Sequence, residues 1–234
     1  MPRAGPSHWF LIAPMLIAVA FLLLYPRILQ NESYHSFADQ RTILGIPNFW
    51  NVVSNFGFLV VGLIGLSRFK DAPSRVLFAG VLLTSIGSSY YHWAPENSRL
   101  VWDRLPMTVV FMSLLSIVVG IWFDARMGHR LLAPALLFGA ASVLWWQTTG
   151  DLRPYGVAQF GPVLILVPAM YFSKLARGLW PVLALYVGAK LAEAYDRALY
   201  DWALLSGHTW KHVLAGLATY WILRWRESTR PGGV

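Results

Sequence analysis

Five side chains in the 234-residue sequence have the types and spacing to do chemistry. Ser88 and His92 are four residues apart, Asp103 follows eleven residues later, and His208 and His212 are again four apart. On a helix, residues four apart share a face. His208 and His212 can therefore aim their rings at one ion, and His92 can add a third imidazole from a neighbouring segment. Three neutral imidazoles and a water make a catalytic zinc set that keeps its fourth position open. Such a site needs a base or proton carrier, and Asp103 is the nearest candidate. Each residue also has a plainer reading. A lone membrane histidine can simply bond two helices together, and a serine does so routinely. A carboxylate at a helix start is favoured by the free amides there. What sets these residues apart is their expected convergence at one depth.

That depth follows from the segments carrying them. The chain is 56% hydrophobic and 13% charged, more apolar than the core of a water-soluble domain of this size can hide. A bilayer core of about 30 Å needs roughly 20 helical residues. Apolar stretches recur at 9–25, 47–66, 76–94, 100–122, 131–147, 157–173, 179–200 and 207–223. Backbone groups facing lipid must be satisfied internally, so these are read as helices and the fold as all-α and polytopic. Pro14, Pro106, Pro162, Pro168 and Pro181 fall near or within spans as kinks or first-turn residues. The first stretch resembles a signal peptide but ends in Tyr25, Pro26 and Arg27 with no small-residue cleavage site, so it is expected to stay.

Basic residues fix the expected orientation. Arg3 precedes the first span. Arg68, Lys70 and Arg75 follow the second, Arg126 and Arg130 the fourth, Lys174 and Arg177 the sixth, and Arg224, Arg226 and Arg230 the eighth. By the positive-inside rule both termini face the cytoplasm, and the outer end of the third span then lies level with the starts of the fourth and eighth. Ser88, His92, Asp103, His208 and His212 share that outer layer. The formal charge of +8 comes as scattered residues at segment ends, with no stripe for nucleic acid. There are no cysteines, which excludes disulfides, iron–sulfur clusters and thiolate zinc. His8, His35 and His129 fall outside this geometry and are assigned to surface or loop roles.

Two further polar groups stand close by. In NFWNVVSN (48–55), Asn51, Ser54 and Asn55 can hold ligands from behind or simply cross-link helices. In the set Lys190, Glu193, Asp196 and Arg197, the first, second and fourth have the spacing of local ion pairs, while Glu193 or Asp196 facing inward would polarise a histidine.

FWNVVSN (49–55), SSYYHWAPENSRLVWDRLPM (88–107) and HTWKH (208–212) together resemble the alkaline ceramidase family of intramembrane hydrolases. Its wider superfamily includes adiponectin-receptor-like proteins and lipid hydrolases that remodel GPI anchors. The resemblance spans a seven-helix core over 39–223, after an extra helix and outer loop in 1–38 and before a cytoplasmic tail in 224–234. It implies zinc on His92, His208 and His212, Ser88 positioning the water or the developing oxyanion, and Asp103 handling protons. The implied substrate is the N-acyl amide of ceramide or a related membrane lipid, cleaved to a fatty acid and a sphingoid or analogous amine. The family's acidic calcium-binding segment is matched only by ADQRTILGIPN, with Asp39 and Asn48, so any calcium site here is weak. The alternatives are an ester-cleaving, phospholipase-like enzyme on the same zinc, a seven-helix receptor with structural zinc, and a transporter using Glu193 and Asp196.

Overall fold

The computed structural model describes residues 6–229. Arg3 and Arg230 of the charge argument, and the end of the 224–234 tail, lie outside them. The helices are α1 (Trp9–Leu24), α2 (Phe49–Val53), α3 (Phe56–Arg68), α4 (Ala72–Trp93), α5 (Asn97–Trp122), α6 (Ala125–Thr149), α7 (Arg153–Phe160), α8 (Val163–Phe172), α9 (Trp180–Ala194), α10 (Asp196–Ala203) and α11 (Gly207–Ser228). Among the described residues the only β pairing is two isolated bridges. Among the described residues four stretches are long and apolar enough to cross a membrane: Phe49–Arg68, Asn97–Trp122, Ala125–Thr149 and Arg153–Phe172. The protein is a multi-pass, all-helical membrane protein.

Every stretch read as apolar from the sequence coincides with a helix or a consecutive pair of helices, and the pairs have local causes. The 47–66 segment breaks at Ser54 and Asn55, whose side chains donate to the carbonyls of Asn51 and Val52 in place of a regular ladder. The 157–173 segment starts earlier and breaks at Gly161 and Pro162, where proline lacks the amide that would continue the helix. The 179–200 segment divides at Tyr195.

The chain forms two compact units. One comprises residues up to Gln30, Lys70–Leu77 and Thr108–Gly178. Its α5 and α6 pack around Met112, Ala135 and Ala158, and the Ser116 hydroxyl donates to the Gly128 carbonyl at 2.8 Å. Arg153 pairs with Asp151 and also donates to the carbonyls of Leu22 and Tyr25, closing the end of α1, where helical carbonyls lack partners.

The other unit comprises Asn31–Phe69, Phe78–Met107 and Leu179 onward. Every candidate site residue belongs to it. In it α9 packs along α11, and α3 also packs on α11. Two glycines permit the close approaches that build the site. A Cβ on Gly87 would strike the Trp102 carbonyl, so only glycine lets α4 meet the start of α5 there. A Cβ on Gly207 would strike the Ala192 carbonyl, so the start of α11 sits directly against the end of α9.

Candidate metal centre

His92 lies in the last turn of α4, and His208 and His212 lie on one face at the start of α11. The α11 start is well defined. Ser206 has extended backbone and caps the helix by accepting from the Thr209 amide at 3.1 Å. Asn51 on α2 then holds that turn from the side, because its Oδ1 accepts from Ser206 Oγ at 3.1 Å and Thr209 Oγ1 at 2.7 Å.

The three imidazoles converge. One ligating nitrogen from each lies within 4.8 Å of the other two, and all three residues are buried. Ring centroids are 4.8 Å apart for His92 and His208, 4.7 Å for His92 and His212, and 5.0 Å for His208 and His212. Neither ring nitrogen of His92 has a hydrogen-bond partner, although the residue is completely enclosed. Buried polar atoms without partners are uncommon and costly, and a metal ion satisfies a bare imidazole lone pair directly. The donor set, all nitrogen, suits zinc among other divalent metals.

The surrounding side chains orient two of the rings. Ser54 Oγ lies 2.8 Å from His212 Nδ1, which leaves Nε2 to face the other histidines. Lys211 Nζ lies 3.2 Å from His208 Nε2 and 2.8 Å from Glu193 Oε1. Glu193 also accepts from Lys190 at 2.7 Å and from the Tyr34 hydroxyl at 3.1 Å. Tyr34 lies in the loop ahead of α2. Burial and the Glu193 charge raise its phenol well above the ordinary range, so it remains a donor.

Ser88 and Asp103, brought close by the Gly87 contact, are hydrogen-bonded to each other and buried. An ionised carboxylate only accepts, so the Ser88 hydroxyl is the donor. Asp103 is also within electrostatic reach of Lys211.

Other expected site residues take different positions. Glu193 does not contact a histidine ring but reaches His208 through Lys211. Asp196 touches His208 through its backbone: one carboxylate oxygen accepts from the His208 amide and the other from the Ala38 amide, both at 2.8 Å. Of the ion pairs expected along 190–197, Lys190 does pair with Glu193, whereas Arg197 pairs with Asp201 at 3.2 Å. Asn55 turns its amide back to the α2 carbonyls and meets no imidazole. Ser54 is thus the residue of this group whose side chain touches a candidate ligand ring.

The residues of the weak calcium site have other partners. Asp39 is 2% exposed, and both its oxygens accept from the Arg41 guanidinium, at 2.8 and 2.6 Å. Arg41 donates as well to the Leu204 carbonyl, and its hydrogen bond to Asp39 raises its already high pKa. A fixed cation therefore stands on the carboxylate. Asn48, in the left-handed region at φ 47°, donates its amide to the His92 carbonyl at 2.9 Å and anchors the end of α4.

Several site residues were not foreseen. Phe37 is 4% exposed, and its ring lies 4.8 Å from His92 and 4.4 Å from His208, covering both imidazoles. It stands in an irregular loop, where no periodicity marks an inward position. His35, given a surface or loop role, lies ahead of α2 and is partly buried, with Nδ1 2.8 Å from the Tyr91 hydroxyl and Nε2 3.1 Å from Asn97 Oδ1. Lys211 did carry a signal, since it stands between the two histidines of HTWKH. No family model matches the chain, and no curated protein matches it.

Proposed function

We propose that the protein is a zinc-dependent intramembrane amidohydrolase that cleaves the N-acyl amide of ceramide or a related lipid to a fatty acid and a sphingoid or analogous amine. The observation that carries this reading is the enclosed triad of His92, His208 and His212, and the joined Ser88 and Asp103 are linked to it through Lys211, which is within electrostatic reach of Asp103 and meets His208. Such a donor set leaves part of a tetrahedral metal open to water and substrate. The resemblance of the three motifs to alkaline ceramidases supplies the amide. In this reading eight spans cross the membrane, both termini are cytoplasmic, and the site lies toward the extracytoplasmic face.

A zinc ion on the imidazoles would polarise the amide carbonyl and acidify a water. The Asp103 carboxylate accepts the proton released as water adds to the carbonyl and returns one to the leaving nitrogen. Ser88 donates to Asp103 while that carboxylate is ionised, and once Asp103 has taken the proton the Ser88 hydroxyl can turn to the developing oxyanion. The water oxygen ends in the fatty carboxylate, and the nitrogen leaves with the proton. Phe37 and its loop shield the rings on one side, which suits a substrate arriving with its tails in lipid.

Metal analysis joined to a lipid assay tests this. Purified protein should contain one zinc per chain and release a long-chain base from ceramide, and His212→Ala should lose both. Release of a lysolipid from a phospholipid would reassign the substrate to an ester. Bound zinc with no turnover of amide or ester lipids would make the metal structural and end the enzyme reading.

A further inference from the structure

We propose that Lys211 is a fixed ammonium donor for the anion that occupies the open side of the metal: the oxyanion during amide hydrolysis, and then the fatty carboxylate. The proposal rests on the hydrolase reading above and adds to it a residue that the resemblance does not supply.

The first observation is which nitrogen Lys211 meets. An ammonium has only donors, so the His208 Nε2 that lies 3.2 Å from it must carry the ring's lone pair. That lone pair is the one a metal takes. The ammonium therefore borders the metal position and is held there by Glu193 at 2.8 Å. Once the lone pair is engaged by a cation, the ring no longer accepts from Lys211. Two positive charges then lie side by side in a poorly solvated place. The acceptor adjacent to both is an anion in the open coordination position.

The second observation is the charge count around Glu193. Its carboxylate pairs with Lys190 at 2.7 Å as well as with Lys211. One acid is thus shared by two ammonium groups, and Asp103 lies within electrostatic reach of Lys211 and Arg104. These two acids stand against three cations, and a metal ion beside Lys211 would add further positive charge. With the Lys211 side chain only 13% exposed, such a cluster is costly unless an anion completes it. Amide hydrolysis makes such an anion twice. Water addition places negative charge on the carbonyl oxygen, and cleavage of the C–N bond leaves a carboxylate.

The third observation is that Ser88 has one hydroxyl proton, and it is given to Asp103. While Asp103 is ionised that proton is engaged, and Lys211 brings a further donor. Lys211 has three N–H groups, and Glu193 and His208 account for two of them.

The experiment is binding of palmitate and of hexadecanol to the zinc-loaded protein in detergent micelles by isothermal titration calorimetry, with zinc content measured alongside. Lys211→Met should weaken palmitate about tenfold or more, the value of a charge-assisted hydrogen bond, and leave hexadecanol and zinc unchanged. Lys211→Arg should restore most of the loss. Equal palmitate affinities in the unmodified and Met forms would overturn the proposal. So would a loss that Arg leaves unrestored, since that reports repacking around Glu193. If Lys211→Met does not fold, Lys211→Gln makes the same comparison. Palmitate binding that depends on Lys211 in a protein unable to hydrolyse any N-acyl lipid would sink the hydrolase reading and keep the anion site. Hydrolysis with Lys211-independent palmitate binding would do the reverse.

Discussion

Ser54 Oγ lies 2.8 Å from Nδ1 of His212, so the break between α2 and α3 is also the support of a candidate metal ligand. The irregular turn there is not a defect in a span. It sets against the ring a hydroxyl that is itself held by the Asn51 carbonyl.

Replacing Ser54 by alanine should therefore weaken metal binding about tenfold to a hundredfold, the usual effect of losing a partner behind a ligand. Competition with a chelator of known affinity measures this. Unchanged zinc affinity would show that packing alone orients His212.

Asp103→Asn separates holding the metal from using it. The substitution is close in shape and leaves the three imidazoles untouched. Zinc should stay stoichiometric while lipid hydrolysis falls about 100-fold to 10,000-fold, the range for removal of a proton-transferring group. Loss of metal together with activity would instead give Asp103 a structural place.

Calcium should have no effect on this protein. Because the Arg41 guanidinium already occupies Asp39, a calcium chelator should leave both the melting temperature and lipid turnover unchanged. Arg41→Met should leave a buried carboxylate without its cation and cost about 1–3 kcal/mol, read as a lower melting temperature. Stabilisation of the unmodified protein by calcium would refute the substitution of arginine for the ion.

Asp151 sets a limit on acid stability in the unit that contains α1. Its hydrogen bonds from the Arg153 side chain hold its carboxyl down to about 2, below the ordinary 3.8. A depressed folded pKa stabilises the native state fully above the unfolded value. That contribution is lost as pH falls from about 3.8 through about 2. Thermal melts in detergent should fall across that window, and Asp151→Asn should flatten the fall. An identical acid limb in the two proteins would place the acid sensitivity elsewhere.

The helical class and the segments themselves are legible in this sequence because lipid leaves so few options: a long apolar stretch must satisfy its own backbone, and only a helix does so within one segment. The histidines were legible for a related reason. His208 and His212 are four apart on one helix, and that spacing needs no tertiary knowledge to place them on one face. The interruption at Gly161 and Pro162 is equally local, whereas that at Ser54 depends on side chains turning back on the backbone and meeting α11.

Long-range contacts decided the rest. Asp39 reads as a candidate cation ligand until Arg41 is seen folded onto it, and Glu193 reads as a partner for histidine until Lys211 is found between them. Phe37 has no local signature at all, because a loop residue acquires its neighbours only when distant helices meet around it. Spacing along one helix is set by the chain's covalent geometry and so belongs to the sequence. Which charge reaches which partner depends on how separate helices dock, and in a buried, weakly screened site that choice decides what each residue can do.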